Sequence, residues 1–357
     1  MSKFHNLRVV EIRRETVDSV SLLLESVSGE TFHYKAGQYL TLRTTIDGED
    51  VRRSYSLCSA PYEGVLRVAV KEVPGGKFST YANRVLAVGD VLESMLPDGR
   101  FTAATSSNDK NHLGFAAGSG ITPIISIIKE TLHSSAESRF ALFYVNKETA
   151  SIIFKDELAD LKDVFLERLQ IFNLLTREPV EIEMFGGRLD RARFDRIFSE
   201  VVSPSSYDVS YLCGPEEMIL AGKEALLSAG MDESKIKFEL FTSSSPTKEK
   251  KVQAPDDASV SSDHVDVAVV LDGVTTTVSV KRSGKSILDV ALDAGLDAPF
   301  SCQGGVCCSC RCKMTSGSAS MDVNYALEPD EVENGYVLSC QSHPVGDGPF
   351  VMDFDQP

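Results

Sequence analysis

Positive charge is scarce in this sequence. Against 52 Asp and Glu stand 36 Lys and Arg, a formal balance of -16. So acidic a chain lacks the basic surface that a phosphate backbone requires, which argues against a nucleic acid as partner. Long apolar runs are missing too. Met1-Ser2-Lys3-Phe4-His5 leads straight into an alternating strand pattern without an apolar signal core, and no run is long enough to span a bilayer. The expectation is a cytoplasmic protein with no membrane partner. A second C-x2-C unit is also lacking, and with it the paired-ligand pattern favoured by zinc sites. What is present, 42% hydrophobic and 25% charged residues, is ordinary globular material, and 357 residues exceed one core, so two or three domains are expected.

Six of the eight cysteines fall between Cys302 and Cys340. Such clustering in a chain without secretory features favours metal over disulfides. Cys302, Cys307 and Cys310 stand at C-x4-C-x2-C spacing, with Cys340 well downstream, which is the plant-type 2Fe-2S ligand pattern. Gly304 and Gly305 supply the positions free to turn the loop sharply between ligands. Zinc or reduced structural thiols are the alternatives. Cys308 follows a ligand directly, so its side chain must point elsewhere, and Cys312 is expected in the core as a small hydrophobe.

The first hundred residues read as short strands. Val20, Leu22 and Leu24 alternate, and Asp47-Gly48 sits between two extended runs as a type I′ hairpin signal. This pattern suggests a barrel. Within it, strand alternation puts Arg53 and Tyr55 of Arg53-Ser54-Tyr55-Ser56 on one face, where a cation can meet a phosphate and a phenol can lie along a flat ring. Gly75-Gly76-Lys77-Phe78-Ser79 follows at an expected helix start, its glycines letting backbone N-H groups approach the same phosphate and Ser79 serving as donor and helix cap.

After a polar connector at Ser106 to Asn111, strand and helix alternate. Leu113 to Ala117 reads as a buried strand, then Gly118-Ser119-Gly120-Ile121-Thr122-Pro123 opens a helix with Ile124, Ile127, Ile128 and Leu132 on one face. Thr122 is expected to cap and Pro123 to occupy the first helical position, with a pyrophosphate at the helix N-terminus. A second strand, Phe140 to Val145, ends at Asn146-Lys147, where Lys147 could meet a 2′-phosphate or be a surface lysine. Val209 to Leu212 runs into Cys213-Gly214-Pro215-Glu216-Glu217-Met218, again strand, turn and helix, and Gly230 is placed to end that helix.

In this order the motifs resemble the ferredoxin-NADP reductase superfamily. Its flavin motif falls on Arg53, Tyr55 and Ser56, its phosphate turn on Gly76 to Ser79, and its two NAD(P) signatures on Gly118 to Pro123 and Cys213 to Met218. The resemblance implies that Tyr55 lies against the isoalloxazine, that Ser56 approaches the flavin N5, and that Cys213 sits near the nicotinamide. It further implies that Phe241 shields the ring and that Glu239 is near the nicotinamide. Cys213 as a strand-end thiol, and Glu239 and Phe241 as the end of a strand, remain the plainer readings. FAD is implied over FMN by the resemblance, and NADPH over NADH by Lys147.

Thr242 to Asp263 is rich in Ser, Thr, Pro, Lys and Asp, a composition that cannot bury enough surface to order itself. As a flexible coil it would span on the order of 25 Å. Beyond it, Val265 to Leu271, Asp272-Gly273 and Val274 to Val280 give a second hairpin signal, and Ser286 to Asp289 a capping box before a helix that ends by Gly295. Hairpin, helix and cysteine loop together resemble the β-grasp fold of plant-type ferredoxins. From His264 onward there are 13 acids and 5 bases, which either steers docking onto a basic partner or serves solubility.

The expected architecture is therefore multidomain: an antiparallel β-barrel FAD-binding domain (1–105), an α/β NAD(P)-binding domain (106–241), a flexible linker (242–263) and an α+β β-grasp 2Fe-2S ferredoxin domain (264–357). Nicotinamide delivers two electrons together and the cluster takes one, so a flavin between them converts one to the other. Several reductases of multicomponent oxygenases share this order, including the FMN-using phthalate dioxygenase type. Over its whole length the chain resembles the reductase subunits of bacterial phenylacetyl-CoA epoxidases, notably at Phe4 to Leu7, Arg52 to Leu57, Asn324 to Glu331 and Gly335 to Gln341. It departs from them at Cys308 and in its longer serine-rich linker. The resemblance implies electron delivery to a di-iron oxygenase subunit in phenylacetate catabolism. A reductase for another oxygenase, a general ferredoxin-type donor, or a redox-sensing module that does not turn over are the other readings.

Overall fold

The computed structural model describes residues 4–104, 110–241 and 264–356. The expected linker at 242–263, and residues 105–109 at the first domain connection, lie outside the described residues. Two compact units are separated between Thr242 and Ser243.

The first unit opens with an antiparallel sheet. Its strands are β1 (His5–Thr16), β2 (Ser19–Ser26), β3 (Tyr39–Ile46), β4 (Glu49–Ser56), β5 (Leu66–Lys71) and, after helix α1 (Lys77–Arg84), β6 (Val91–Ser94). They lie in the order β4-β3-β6-β1-β2-β5. Inward-pointing Leu7, Val9, Leu22, Leu40, Leu42 and Val68 share one core, as the alternation predicts. Asp47 and Gly48 both take positive φ, 54° and 81°, the type I′ geometry that turns β3 into β4. The two ends of the sheet meet: Leu57, just past β4, bridges Val68 of β5, and the Cys58 amide donates to the Arg67 carbonyl at 2.8 Å. That contact closes the barrel.

A five-stranded parallel sheet follows. Strand β7 (Asn111–Ala117) leads into α2 (Ile121–Ser134), then β8 (Arg139–Asn146), α3 (Lys155–Phe165), β9 (Leu169–Leu175), α4 (Arg191–Glu200), β10 (Val209–Gly214), α5 (Glu216–Ser228) and β11 (Ile236–Leu240). The order is β11-β10-β7-β8-β9, reversing direction of growth at β7. In open parallel sheets ligands bind beyond the strand C-termini at such a switch point. Ile124, Ile127, Ile128 and Leu132 of α2 are buried against Phe140 and Tyr144, which is the helical stripe read from the sequence. Gly230 takes φ 87° after α5.

Two local expectations fail. Thr122 does not cap α2: a 3-10 turn at Gly118–Gly120 runs straight into the helix, which begins at Ile121, and the Thr122 hydroxyl donates back to the Ser119 carbonyl at 3.0 Å. Pro123 is thus third in the helix, still in the turn whose N-H groups have no intrahelical acceptor. Nor does Ser79 cap α1, whose N-cap is Gly76. The Ser79 hydroxyl is spent inside the turn, accepting from the Val73 amide and donating to the Gly76 carbonyl, each at 3.2 Å.

The second unit has β12 (His264–Leu271), β13 (Val274–Lys281), α6 (Ile287–Asp293), β14 (Arg311–Ser316), β15 (Ser318–Met321), α7 (Pro329–Glu333), β16 (Tyr336–Leu338), β17 (Ser342–Val345) and β18 (Phe350–Asp353). A mixed sheet, β13-β12-β18-β14-β16, packs against α6 in a β-grasp arrangement, with β15 and β17 paired separately. Asp272 and Gly273 repeat the positive-φ turn, and the Ser286 hydroxyl caps α6 by accepting from the Asp289 amide. Among the described residues no helix is long and apolar enough to cross a membrane.

Candidate active site and cluster loop

Three of the residues expected at the reaction centre converge from distant parts of the first unit. Ser56 ends β4 and is 4% exposed. Its hydroxyl donates to Glu239 Oε2 at 3.3 Å, across 183 residues of chain. Glu239 on β11 is in parallel register with Cys213 on β10. Burial lifts the Glu239 carboxyl to about 8, against the pull of the Ser56 hydrogen bond. Cys213 is fully buried, and burial together with the Glu239 charge holds its thiol well above the usual range. A hydroxyl, a proton-bearing carboxyl and an un-ionised thiol therefore line one spot at the C-terminal edge of the parallel sheet, where the barrel meets it.

Beside that spot lie the residues expected to meet the flavin. Arg53 and Tyr55 are only partly buried on a strand whose Val51 and Ser56 are buried. Burial raises the Tyr55 phenol and keeps it neutral, against the pull of the Arg53 charge. Arg53 donates to the Arg52 carbonyl at 2.6 Å and has no carboxylate partner among the described residues, so its charge is available to a phosphate. Gly76 is where the backbone must come close: a Cβ there would sit 2.4 Å from Ser79 Oγ and 2.5 Å from Val73. Lys77 pairs with Glu49 at the surface. Phe78 is 1% exposed with its ring 5.3 Å from Tyr55. Its side chain supports Tyr55 from the core, leaving Phe78 only its backbone to offer a ligand.

The nucleotide turn is tighter still. Gly118 takes φ 52°, and its carbonyl accepts from the buried Tyr144 hydroxyl at 3.0 Å. A Cβ on Gly120 would stand 2.2 Å from the Cys213 carbonyl oxygen, so only glycine lets the two signature turns pass. A Cβ on Gly214 would stand 2.8 Å from Met218 and 2.9 Å from Ala117, and Pro215 is the N-cap of α5. The Phe241 amide donates to the Gly214 carbonyl at 3.2 Å, which brings Phe241 back against this turn. Lys147 is exposed at the end of β8, and its carbonyl accepts from the amide of Arg177, a second exposed cation that sequence reading missed. The missed signal was position: Arg177 follows β9 at the same sheet edge.

In the second unit the four expected cysteine ligands come together as two pairs. Cys307 Sγ lies 3.1 Å from Cys302 Sγ, and Cys310 is in side-chain contact with Cys340. No three His, Cys, Asp or Glu side chains among the described residues are grouped round one ion. Four thiols brought together in this way fit the all-cysteine donor set of a 2Fe-2S cluster. The Cys307 contact, with the backbone N-H groups of Gly304, Val306 and Cys307, holds Cys302 down to about 6. Gly305 at φ 72° bends the loop and aims its amide at Cys340. Cys308 points to the Ala326 carbonyl at 3.6 Å and Cys312 is fully buried, both away from the paired sulfurs as expected.

Three family models match the chain. An oxidoreductase FAD-binding domain matches residues 7–103, an oxidoreductase NAD-binding domain 115–224, and a 2Fe-2S iron-sulfur cluster binding domain 269–345. The chain is 37% identical over 358 residues to one of the subunits of the 1,2-phenylacetyl-CoA epoxidase of Escherichia coli K12, covering 99% of each. The chain belongs to the oxygenase-reductase family. This reductase is also 34% identical, over 96% of its own length and 93% of the other, to the ferredoxin reductase component of 3-ketosteroid-9-alpha-monooxygenase from Mycobacterium tuberculosis. In fold the reductase is similar to phthalate dioxygenase reductase, with TM-score 0.62 at 23% identity over 98% of both chains. A self-sufficient cytochrome P450 monooxygenase gives TM-score 0.71 at 22% identity, over 98% of the reductase and 41% of that chain. The reductase is an oxidoreductase that takes FAD, a nicotinamide nucleotide and one 2Fe-2S cluster.

Proposed function

We propose that this reductase carries electrons from NADPH through FAD and the 2Fe-2S cluster to an oxygenase component, and that this component is a di-iron phenylacetyl-CoA 1,2-epoxidase. Bound FAD supplies the exchange of one hydride for two single electrons, and the cluster supplies a one-electron carrier. The chain's own residues prepare the hydride step. Arg53 and the Gly76 turn would hold the flavin phosphates, and Tyr55, braced by Phe78, would lie along the ring. The Gly118–Gly120 turn and Pro215 would hold the nucleotide, and Phe241, tied by its amide to the Gly214 carbonyl, would shield the flavin ring. Ser56, Cys213 and Glu239, which converge at the end of the parallel sheet, would stand next to the reacting atoms. With its carboxyl lifted to about 8, Glu239 carries a proton at neutral pH that it can lend through the Ser56 hydroxyl.

One observation carries the assignment of the partner: 37% identity, extending over 99% of both chains, to a protein of an epoxidase. The 34% identity to a ketosteroid monooxygenase reductase favours a second reading, the same path feeding a different oxygenase. NADPH is favoured by exposed Lys147 and Arg177 at one sheet edge, with Glu178 turned aside to the Thr149 amide and hydroxyl. An anaerobic titration with NADPH, and with NADH in parallel, tests the path by visible and EPR spectroscopy. Flavin bleaching followed by a one-electron iron-sulphur signal is expected at lower NADPH than NADH. Bleaching without that signal would sink the serial path. Reconstitution with an epoxidase oxygenase component then tests the partner.

A further inference from the structure

Helix α2 does more than present the nucleotide turn. Halfway along it, Ser126 and Lys129 stand one turn apart on the face toward the barrel, 0% and 4% exposed. Ser126 Oγ donates to the Ser59 carbonyl at 2.6 Å. Lys129 Nζ donates to the preceding carbonyl, that of Cys58, at 3.2 Å, and lies 3.2 Å from Glu63 Oε2 on the barrel side and 2.5 Å from Glu157 Oε1 on α3. The Glu63 carboxylate in turn accepts from the Ala60 amide. Residues 58–60 are thus gripped at consecutive backbone groups. They follow Ser56 with only Leu57 between.

We infer that Ser126 and Lys129 are positioning residues for hydride transfer, clamping the strand end that presents Ser56 to the helix whose first turn holds the nucleotide. The inference rests on the reading that hydride passes at Ser56. A buried ammonium needs its acceptors in place and gains little net stability over an apolar contact. What the network supplies is a fixed register, since three acceptors from three elements meet on one nitrogen. A cavity of about 210 Å³, lined in part by Ser59, Glu63, Lys129 and Glu157, lies beside it, so the two sides have room to shift once released. A displacement of about 1 Å between reacting groups can cost on the order of 100-fold in rate.

The full-length, FAD-loaded protein decides this with two variants. Ser126→Ala deletes one hydrogen bond without stranding a charge. Lys129→Met combined with Glu157→Gln removes the ammonium and the nearer of its two carboxylates, while Glu63 keeps the Ala60 amide as a donor. Three quantities are read: the rate of flavin bleaching at saturating NADPH, the apparent Kd for NADPH, and amide exchange at residues 57–60. The expected result is bleaching slowed at least tenfold in the double variant and severalfold in Ser126→Ala, with Kd within twofold and exchange at 57–60 faster than in wild type. Wild-type bleaching in FAD-loaded Ser126→Ala overturns the inference even should the double variant fail to fold. So does slower bleaching with unchanged exchange at 57–60. Failure of the wild type itself to bleach would instead sink the hydride reading on which the clamp depends.

Discussion

Glu239→Gln should make the flavin-containing unit's stability far less sensitive to alkaline pH. The carboxyl titrates at 4.5 when unfolded and at about 8 in the native site, where burial outweighs the Ser56 hydrogen bond. Between those values the native state holds a proton that the unfolded chain has released, so stability falls as pH rises through the window and levels off above it. At about 1.4 kcal/mol per pH unit, the part of the window above pH 6 amounts to at most about 2.7 kcal/mol. Residual exposure of the side chain trims this to about 2 kcal/mol by solvent screening. Urea unfolding of wild type and variant at pH 6 and pH 9, followed by the rise in flavin fluorescence on release, gives the difference directly. Other titrating groups are common to both proteins and cancel. The wild type should lose about 2 kcal/mol relative to Glu239→Gln between the two pH values. A constant difference would refute the burial argument, and with it the idea that Glu239 stores a proton at neutral pH.

The remaining predictions fall on each element of the path. Cys340→Ala should leave NADPH-driven flavin bleaching intact while iron content and delivery to a protein acceptor are lost; equal loss of both activities would mean that the path is not serial. Gly120→Ala should raise the KM for NADPH at least tenfold with normal FAD content, because the methyl group meets the Cys213 carbonyl at 2.2 Å, and an unchanged KM would show that the turn can relax. Arg53→Ala should purify poor in FAD, as read from the ratio of visible to ultraviolet absorbance; full FAD content would remove Arg53 from the phosphate site.

The parts of the molecule that depend on neighbours in sequence were the legible ones. Asp47-Gly48 and Asp272-Gly273 announced their hairpins because both positions of a type I′ turn need positive φ, and the structure has it at all four residues. The isoleucine face of α2 was readable for the same reason. Helix starts were not, although their glycines were in view. The expectation gave the cap to the hydroxyl residue in each motif, but a 3-10 turn at Gly118–Gly120 and the extended Gly76 begin the helices earlier and leave Thr122 and Ser79 inside. Contacts over long separations left still less trace. No local pattern links Lys129 to Glu63, 66 residues away, or Ser56 to Glu239, 183 away. The expected roles of Ser56 and Glu239 came from family resemblance, and for Lys129 there was no resemblance to draw on.

The closure of the barrel at Leu57 and Val68 has a bearing on solubility. In the strand order β4 stands at one end, so in an open sheet it would be a bare edge, able to recruit strands from other molecules and to aggregate. The bridge to β5 and the Cys58 to Arg67 hydrogen bond occupy that edge where Ser56 emerges. The covering reaches Leu57 and Cys58, just past the strand that carries Arg53 and Tyr55. At that end the backbone is already paired, so the sheet offers a second molecule no template where Ser56 emerges.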